Sequence, residues 1–303
     1  TGLYRRVPEV FDCWFESGAM PYAQVHYPFE NKQQFEDSFP AAFIAEGVDQ
    51  TRGWFYTLQV LSECLFGQPA FRHVIVNGLV LAEDGRKMSK RLQNYTPPSA
   101  LMEQYGADAL RLYLINSGLV KAEEQRFADT GVQDMVRQVL LPWFNGYKFF
   151  QTYADIDQWQ CLGQPTSDNI LDQWILSRLQ SLIDKVNAEM QAYRLYEVVQ
   201  PLFAFLEDLT NWYIRLNRSR FWQTELNADK QQAYATLYHC LRTFCTLMAP
   251  LAPFLADYLY QQLKRYQPDP AQPLSVHLAT YPEAKTVWRQ PALEQSVQRC
   301  QQL

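Results

Sequence analysis

AAFIAEGVDQTRGWFYTLQVLSECLFGQPAFRHVIVNG, residues 41–78, decides the fold of the first third of the chain. AAFIA at 41–45 and HVIVNG at 73–78 are short apolar runs that predict buried strands. Between them, Asp49 can cap a helix that ends at Phe66 and Gly67. The apolar residues of this helix recur at helical spacing: Trp54, Leu58, Leu61 and Leu65. This order predicts a right-handed strand–helix–strand unit of a parallel sheet.

Polar residues follow both predicted strands. Glu46 and Gly47 form a predicted turn after the first strand, and Gly78 ends the second. Ligands of parallel sheets bind beyond the carboxyl ends of the strands, so residues 46–49 and 77–78 are candidates for a binding site. VFDCWFE at 10–16 is another aromatic run, and it predicts a further buried strand followed by a turn.

The rest of the chain predicts helices. Residues 99–155 suggest short helices joined by turns at Gly106, Gly118 and Gly131. From Asp168, a predicted N-cap, apolar residues recur every three or four positions. Helices are predicted to begin near 169, to continue through 198–216 and 229–248, to follow Pro253, and to end the chain near 291–302. Long helices with short connections predict an antiparallel bundle.

Composition excludes several classes of protein. The chain has 303 residues, 48% hydrophobic and 19% charged, with no excess of Gly or Pro, which excludes disordered and collagen-like chains. The net charge of −5 excludes a global basic field, so any RNA contact requires local basic patches. No apolar run approaches the roughly 20 residues that cross a bilayer, and we expect a soluble cytosolic protein without a membrane partner.

Six cysteines are scattered without a CxxC pair, and we expect free thiols: Cys13, Cys64, Cys161, Cys240, Cys245 and Cys300. His239, Cys240 and Cys245 come closest to metal-ligand spacing. They fall within a predicted helix and no second ligand pair follows, so we interpret them as core residues. The sequence therefore predicts no metal site in this segment.

AEDGRKMSKRLQN at 82–94 concentrates four cations within six residues: Arg86, Lys87, Lys90 and Arg91. On charge alone, two interpretations stay open. A Gly-hinged loop could bring ammonium groups onto the phosphates of a nucleotide as pyrophosphate leaves. A solvated surface turn fits the same composition.

NWYIRLNRSRF at 211–221 is a second basic segment. At about 100° per residue, Asn211, Arg215 and Arg218 share one helix face, opposite an apolar stripe that includes Leu202, Leu209 and Leu216. Such a face can bind RNA phosphates and unpaired bases. Alternatively, it forms salt bridges with Glu207 and Asp208 upstream.

The string KMSKR at 87–91 resembles the KMSKS signature of the class I aminoacyl-tRNA synthetases, and further segments resemble the isoleucyl-tRNA synthetases within that class. These segments are FDCWFESG at 11–18, AEGVDQTRGWF at 45–55, LDQWILSRL at 171–179, NWYIRLNRSRFW at 211–222 and MAPLAPFLADYLY at 248–260. MPYAQVHYPFENK at 20–32 resembles the eukaryotic-type branch. The resemblance covers nearly the whole chain, although Arg91 stands where the signature has Ser and Asn77 where many members have His.

This resemblance implies a fold class: the α/β half of a Rossmann-like nucleotide-binding fold, followed by a mostly α-helical bundle. It also implies three domains. Residues 1–95 would form the C-terminal half of the catalytic domain with the KMSKR loop, residues 96–165 a helical stem-contact segment, and residues 166–303 the anticodon-binding bundle.

The resemblance also implies roles for individual residues. Lys87 and Lys90 would be catalytic, holding the ATP phosphates and the transition state. ATP or the adenylate would also contact Glu46, Gly47, Asp49, Gly78, Met88, Ser89 and Arg91, with Gly78 contributing backbone groups near the adenine. The amino-acid side chain would lie among Trp14, Gln50 and Trp54, because two indole faces form a dry slot for a branched aliphatic group. Asn211, Arg215 and Arg218 would bind tRNA.

The implied activity is ATP-dependent activation of isoleucine, with Mg²⁺ accompanying ATP, and transfer to tRNA(Ile). Class I catalysis also needs an HIGH-type motif, and none of the four histidines belongs to an HxGH string. We therefore expect a fragment without this motif or an editing domain, inactive alone. Two alternatives remain open: a fragment of a valyl-tRNA synthetase, and a non-catalytic RNA-binding protein descended from a synthetase.

Overall fold

The structure is a computed structural model, and it describes residues 3–302. The chain divides into two compact units. The first contains the residues up to Val80 and a returning segment, Gly118–Gln125. The second contains Leu81–Ser117 and the residues from Arg126 onward. These units are defined by packing and do not test the predicted three-domain division, which stays a prediction. Residues 1, 2 and 303 of the predicted domains lie outside the described residues.

The first unit contains the predicted strand–helix–strand segment. Its elements are α1 (Cys13–Gly18), α2 (Met20–Ala23), α3 (Lys32–Ser38), β1 (Ile44–Gly47), α4 (Trp54–Phe66) and β2 (Val74–Asn77). The strands β1 and β2 are parallel, with Ile44 opposite Val74 and Gly47 opposite Asn77, which confirms the predicted parallel pair. Gly67 ends α4 at φ +63°, a left-handed conformation that favours glycine.

Three local predictions in this unit are wrong. Residues 10–16 do not form a buried strand, because the side chain of Asp12 accepts hydrogen bonds from the backbone of Trp14 and Phe15, both at 2.9 Å, and so begins helix α1. The predicted turn at 46–47 instead belongs to β1, and residues 48–52 form a 3₁₀ turn. Asp49 does not cap α4 either: Gln50 Oε1 accepts the backbone N–H of Trp54 at 2.9 Å.

The second unit is predominantly helical. Its helices are α5 (Pro98–Tyr105), α6 (Ala107–Ile115), α7 (Asp129–Met135), α8 (Leu141–Ile156), α9 (Ile170–Gln191), α10 (Val199–Glu207), α11 (Arg215–Phe221), α12 (Ala228–Met248), α13 (Pro253–Lys264) and α14 (Pro291–Gln301). Two short strands, β3 (Val80–Leu81) and β4 (Gln125–Arg126), pair with each other, and the unit boundary falls within both strands.

Helix α12 is the centre of the bundle, since it packs against α8, α9, α11 and α13. Large aromatic side chains fill the space around it, including Trp143, Trp174, Tyr213, Tyr234 and Phe244, all at most 1% exposed. The long predicted helices are confirmed, but two details differ. Asn169, rather than Asp168, caps α9 by accepting from the backbone of Leu171, and Gly131 lies inside α7 rather than in a turn.

A π-helical segment, Asp208–Ile214, separates α10 from α11. It changes the register that a uniform 100° per residue assumes. Leu202 and Leu209 are buried as expected, whereas Leu216 is 53% exposed. The prediction for Leu216 is therefore wrong, because the wider turn rotates it away from the core.

A buried ion network joins α9, α11 and α12. Arg220 is 7% exposed and binds Asp172 Oδ1 at 2.7 Å and Asp229 Oδ1 at 2.7 Å. Tyr213 also donates to Asp172, at 2.7 Å. A buried charge without its partner is costly, so this network fixes the register of the three helices.

All six cysteines are free thiols, as predicted. Among residues 3–302, no three His, Cys, Asp or Glu side chains cluster in a way that could hold a metal ion. Within the same residues, no helix combines the length and apolarity that crossing a membrane requires.

Candidate functional site

One group of candidate residues lies in the first unit, where β1 ends. Glu46 and Asp49 are exposed, and Gly47 separates them at the end of the strand. A Cβ atom on Gly47 would lie 2.5 Å from Asp49 Oδ1. Any side chain at position 47 would therefore displace the Asp49 carboxylate, which gives this glycine a steric role.

The predicted amino-acid residues meet at Gly53. The indole N–H of Trp54 donates to the carbonyl oxygen of Ser17 at 3.0 Å, which fixes the ring. The ring of Trp14 lies 3.5 Å from the position that a Cβ on Gly53 would occupy, and Gln50 Oε1 lies 2.8 Å from the same point. Trp14, Gln50 and Trp54 are thus neighbours around one glycine; their role in binding an amino acid stays a prediction.

Gln50 has two further contacts that its sequence position did not reveal. It accepts the backbone N–H of Trp54, and its own amide donates to Asp49 Oδ2 at 3.3 Å. The same side chain therefore starts helix α4 and orients the neighbouring carboxylate. Ser17 was also missed by the sequence analysis, because its contact is made by a backbone oxygen.

Gly78 has a packing role in the first unit. Its N–H donates to the carbonyl oxygen of Leu119 at 2.8 Å, and an added Cβ would lie 1.8 Å from the carbonyl oxygen of Glu123. Only glycine fits this close approach of two backbone segments. Since its N–H is already bonded, any contact with a nucleotide falls to other backbone groups of residues 76–79.

A separate group of candidate residues belongs to the second unit. It is the cationic loop, residues 82–94, which begins with a tight turn. Gly85 adopts φ +81°, and its N–H donates to the carbonyl oxygen of Ala82 at 2.8 Å. Arg86 binds Asp84 through its side chain, at 2.6 Å, and through its backbone N–H. These bonds lower the pKa of Asp84. Arg86 is thus paired within the turn and differs from the other cations of the loop.

Asn94 closes the loop by holding its backbone. Its Oδ1 accepts the N–H of Ser89 at 2.9 Å, and its Nδ2 donates to the carbonyl oxygen of Lys87 at 3.2 Å. Met88 and Ser89 are partly buried, whereas Lys87, Lys90 and Arg91 are exposed. No acidic side chain of residues 3–302 forms an ion pair with these three cations. The three cations are therefore exposed and unpaired with acids in this part of the chain. Asn94 could not be selected from the sequence, because it acts by binding the loop backbone.

The predicted RNA-binding face lies on the π-helical segment and α11. Asn211, Arg215 and Arg218 are all exposed. Asp208, one of the proposed salt-bridge partners, instead binds Arg178 Nε at 2.9 Å. Among the described residues, no acid pairs with Arg215 or Arg218, so the salt-bridged interpretation of this face is wrong.

Trp222 follows directly after α11 and is 59% exposed. The sequence analysis did not select it, although an aromatic next to two exposed arginines is a typical feature of RNA-binding surfaces. In the sequence, only the adjacency of Phe221 and Trp222 indicated an exposed aromatic. Consecutive residues of a helix point in directions about 100° apart, so one of the two rings is expected to face the core and the other the solvent. Phe221 is 1% exposed, which confirms this division.

Two family models match the chain. Residues 1–126 match the model for class I tRNA synthetases (I, L, M and V), and residues 172–303 match the model for the anticodon-binding domain of tRNA ligases. The first range contains the Glu46–Trp54 region and the cationic loop, and the second contains Asn211, Arg215 and Arg218.

Curated relatives are identical to this chain at about half of the aligned positions. A probable cytoplasmic isoleucine–tRNA ligase of Dictyostelium discoideum is 53% identical over an alignment of 308 positions, gaps included. The alignment covers 99% of this chain and 29% of the relative. An isoleucine–tRNA ligase of Chlamydia trachomatis serovar D is 54% identical over 299 residues, covering 97% and 28%. The chain thus spans less than a third of the length of these relatives.

Solved structures share the fold. The LeuRS-tRNA-LeuAMS ternary complex of Agrobacterium radiobacter K84 aligns with a TM-score of 0.74 over 94% of this chain and 34% of that chain. A Mycobacterium tuberculosis methionyl-tRNA synthetase in complex with methionyl-adenylate aligns with a TM-score of 0.68 over 81% of this chain and 48% of that chain. Both are 19% identical to this chain, so the likeness concerns the fold alone.

Proposed function

We propose, because the chain belongs to the class I tRNA synthetases, that it serves isoleucine–tRNA ligation. The reaction is ATP-dependent formation of isoleucyl-adenylate with release of pyrophosphate, followed by transfer of the isoleucyl group to tRNA(Ile). The observation that carries this proposal is the 53–54% identity to isoleucine–tRNA ligases along 97–99% of the chain.

In the proposed reaction, the residues around Gly53 bind isoleucine. Trp14 and Trp54 offer indole faces to the aliphatic side chain, and the bond from Trp54 to Ser17 keeps one ring in place. Glu46 and Asp49 bind the ribose and the ammonium group of the adenylate. Gln50 orients the carboxylate of Asp49 and thereby prepares it for this contact.

The cationic loop acts on the phosphates. As the carboxylate oxygen of isoleucine attacks the α-phosphorus, the bond to pyrophosphate breaks and negative charge moves onto the leaving group. Lys87 and Lys90, which lack acidic partners among the described residues, stabilise that charge. Arg91 adds a guanidinium suited to phosphate, and Asn94 keeps the loop backbone in shape. Mg²⁺ accompanies ATP as part of the substrate.

We further propose the domain assignment implied by the resemblance: residues 1–95 as half of a Rossmann-like catalytic domain, 96–165 as a stem-contact segment, and 166–303 as the anticodon-binding bundle. Asn211, Arg215 and Arg218 contact tRNA phosphates and bases there. Exposed Trp222 gives the same surface a stacking platform. The proposed location of the reaction is the cytoplasm.

Direct binding of tRNA by this chain tests the proposal. A mobility-shift titration compares tRNA(Ile) with tRNA(Val), each with its own anticodon and with the two anticodons exchanged. We expect tighter binding of the species that carry the isoleucine anticodon. Equal binding of all four species at every salt concentration would contradict the assignment of the bundle to anticodon recognition.

A further inference from the structure

Arg242, on α12, is a partly buried cation that has no carboxylate partner within residues 3–302. Its guanidinium donates to the hydroxyl of Tyr238 at 3.0 Å, to Gln267 Oε1 at 2.8 Å and to Gln272 Oε1 at 3.0 Å. The ring of Tyr260 lies below it, 5.5 Å from the cation. All of these partners are neutral, so they satisfy hydrogen bonds but leave the charge uncompensated.

Other buried cations of the same bundle are paired with acids. Arg220 binds Asp172 and Asp229, and Lys230 binds Asp157. Asp257, on the neighbouring helix α13, instead accepts hydrogen bonds from Ser275 at 2.7 Å and from the backbone of Val276 at 2.8 Å. Among the described residues, no acid forms an ion pair with Arg242.

A cavity of about 480 Å³ opens beside Arg242. Hydroxyl and amide groups line it, including Thr243, Thr280 and Gln164, together with Tyr238. No Asp or Glu of the described residues is among its lining. The cavity thus combines a charged donor with neutral hydrogen-bonding groups, which is the composition of an anion site.

The charges of Lys285 and Arg242 both act on His239. His239 also lines the cavity, and burial lowers its pKa to about 4, with further lowering from the charges of Lys285 and Arg242. The Lys285 ammonium binds Gln164 Oε1 at 3.2 Å and lies over the ring of Trp288, and both of these partners are neutral.

We propose that this cavity binds a phosphate group through Arg242. The planar guanidinium matches the oxygens of a phosphate, and Thr243 and Thr280, whose hydroxyls can donate hydrogen bonds, line the same cavity. The volume is sufficient for a phosphate ester with part of its organic group. The phosphate comes either from an RNA backbone or from a small free ester. The inference does not depend on the proposed ligase function.

Calorimetric titration of the full chain with inorganic phosphate tests the site at constant ionic strength. We expect binding by the unchanged chain and at least tenfold weaker binding by Arg242→Met. The matched control is Arg265→Met, because Arg265 lies on the same bundle but pairs with Asp155 at 3.0 Å; this control retains phosphate binding. Absence of binding to the unchanged chain, or equal binding by Arg242→Met, overturns the proposal.

A second variant covers the case in which Arg242→Met does not fold. Thr243→Val keeps the positive charge of Arg242 and removes one hydroxyl donor. We expect it to bind phosphate severalfold more weakly while its unfolding midpoint stays unchanged. If Arg242→Met does not fold, unchanged phosphate binding by a folded Thr243→Val overturns the proposal. Competition then identifies the source: displacement of phosphate by tRNA assigns an RNA phosphate, and simultaneous binding assigns a free ester.

Discussion

The indole N–H of Trp54 donates to the carbonyl oxygen of Ser17 at 3.0 Å, which ties the first residue of α4 to α1. Gly18 lies next to this contact, and a Cβ there would approach Leu61 to 2.9 Å. The two helices are therefore packed at minimal separation. The Trp54 ring is held by the scaffold before any amino acid binds, which reduces the ordering cost of binding.

Replacing Trp54 tests its contact with the amino acid. The assay uses a chimera in which this chain replaces the matching segment of the Chlamydia trachomatis relative. We expect Trp54→Ala to raise the KM for isoleucine in ATP–pyrophosphate exchange by about 10-fold to 100-fold, because the contact between the indole and the aliphatic side chain is lost, with little change for ATP. Trp222→Ala, which removes an exposed indole elsewhere, serves as the control. Equal increases for isoleucine and ATP would remove Trp54 from the side-chain slot.

Lys90 is expected to act in the transition state. In the same chimera, Lys90→Ala should lower the kcat of exchange by about 10²-fold to 10³-fold, since a positive charge near the leaving pyrophosphate is lost. Arg86→Ala is the matched control, because Arg86 already pairs with Asp84 and should change kcat by less than about threefold. A larger loss in Arg86→Ala than in Lys90→Ala would reverse the assignment within the loop.

The exposed arginines of α11 are expected to neutralise RNA phosphates. Arg215→Ala and Arg218→Ala should each weaken tRNA binding by the chain and reduce the slope of log affinity against log salt by about 1. Arg299→Ala removes the same charge from α14 and should leave the slope unchanged. An unchanged slope in all three variants would exclude this face as a phosphate-binding surface.

Arg220 is expected to matter for stability rather than for RNA. Arg220→Met leaves Asp172 buried without its cation, so the free energy of unfolding in urea should fall by about 3–5 kcal/mol. Arg218→Ala, two residues away and exposed, should change it by less than about 0.5 kcal/mol. Similar losses in the two variants would show that the buried network contributes nothing specific.

The buried His239 predicts a pH dependence of stability. Its pKa is lowered to about 4 in the folded chain, below the ordinary 6.5, so the unfolded chain binds the proton more tightly. Its titration therefore leaves the free energy of unfolding unchanged above about pH 6.5 and lowers it as the pH falls towards 4, by up to about 1.4 kcal/mol per pH unit. His239→Asn should flatten the curve of unfolding free energy in this window. Parallel curves for the two proteins would contradict the buried neutral state.

Regular elements were predictable from sequence where periodicity and burial agree. The parallel pair β1 and β2, helix α4 and the long helices α9, α12 and α13 follow from apolar spacing. The aromatic run at 10–16 gave a wrong prediction of a buried strand. Aromatic side chains become buried only where another layer of the protein covers them, and Phe11 is 69% exposed. A short-range bond from Asp12 decides that segment instead.

The candidate site was predictable in its residue types but not in its contacts. Lys87, Lys90, Trp14 and Trp54 were selected from motifs. Their supporting partners were not, because they act through backbone atoms or distant chain positions, as Ser17 and Asn94 do. The π-helical segment at 208–214 could not be foreseen either, since it breaks the fixed rotation per residue that face assignment assumes.

ATP–pyrophosphate exchange by the chimera tests the central claim most directly, with isoleucine, valine, leucine and methionine compared at equal concentration. We expect exchange that is fastest with isoleucine and that falls sharply in the Lys90→Ala chimera. Exchange that is fastest with valine would assign the chain to a different amino acid. Absence of exchange by a folded chimera, alongside an active unmodified relative, would contradict the catalytic role altogether.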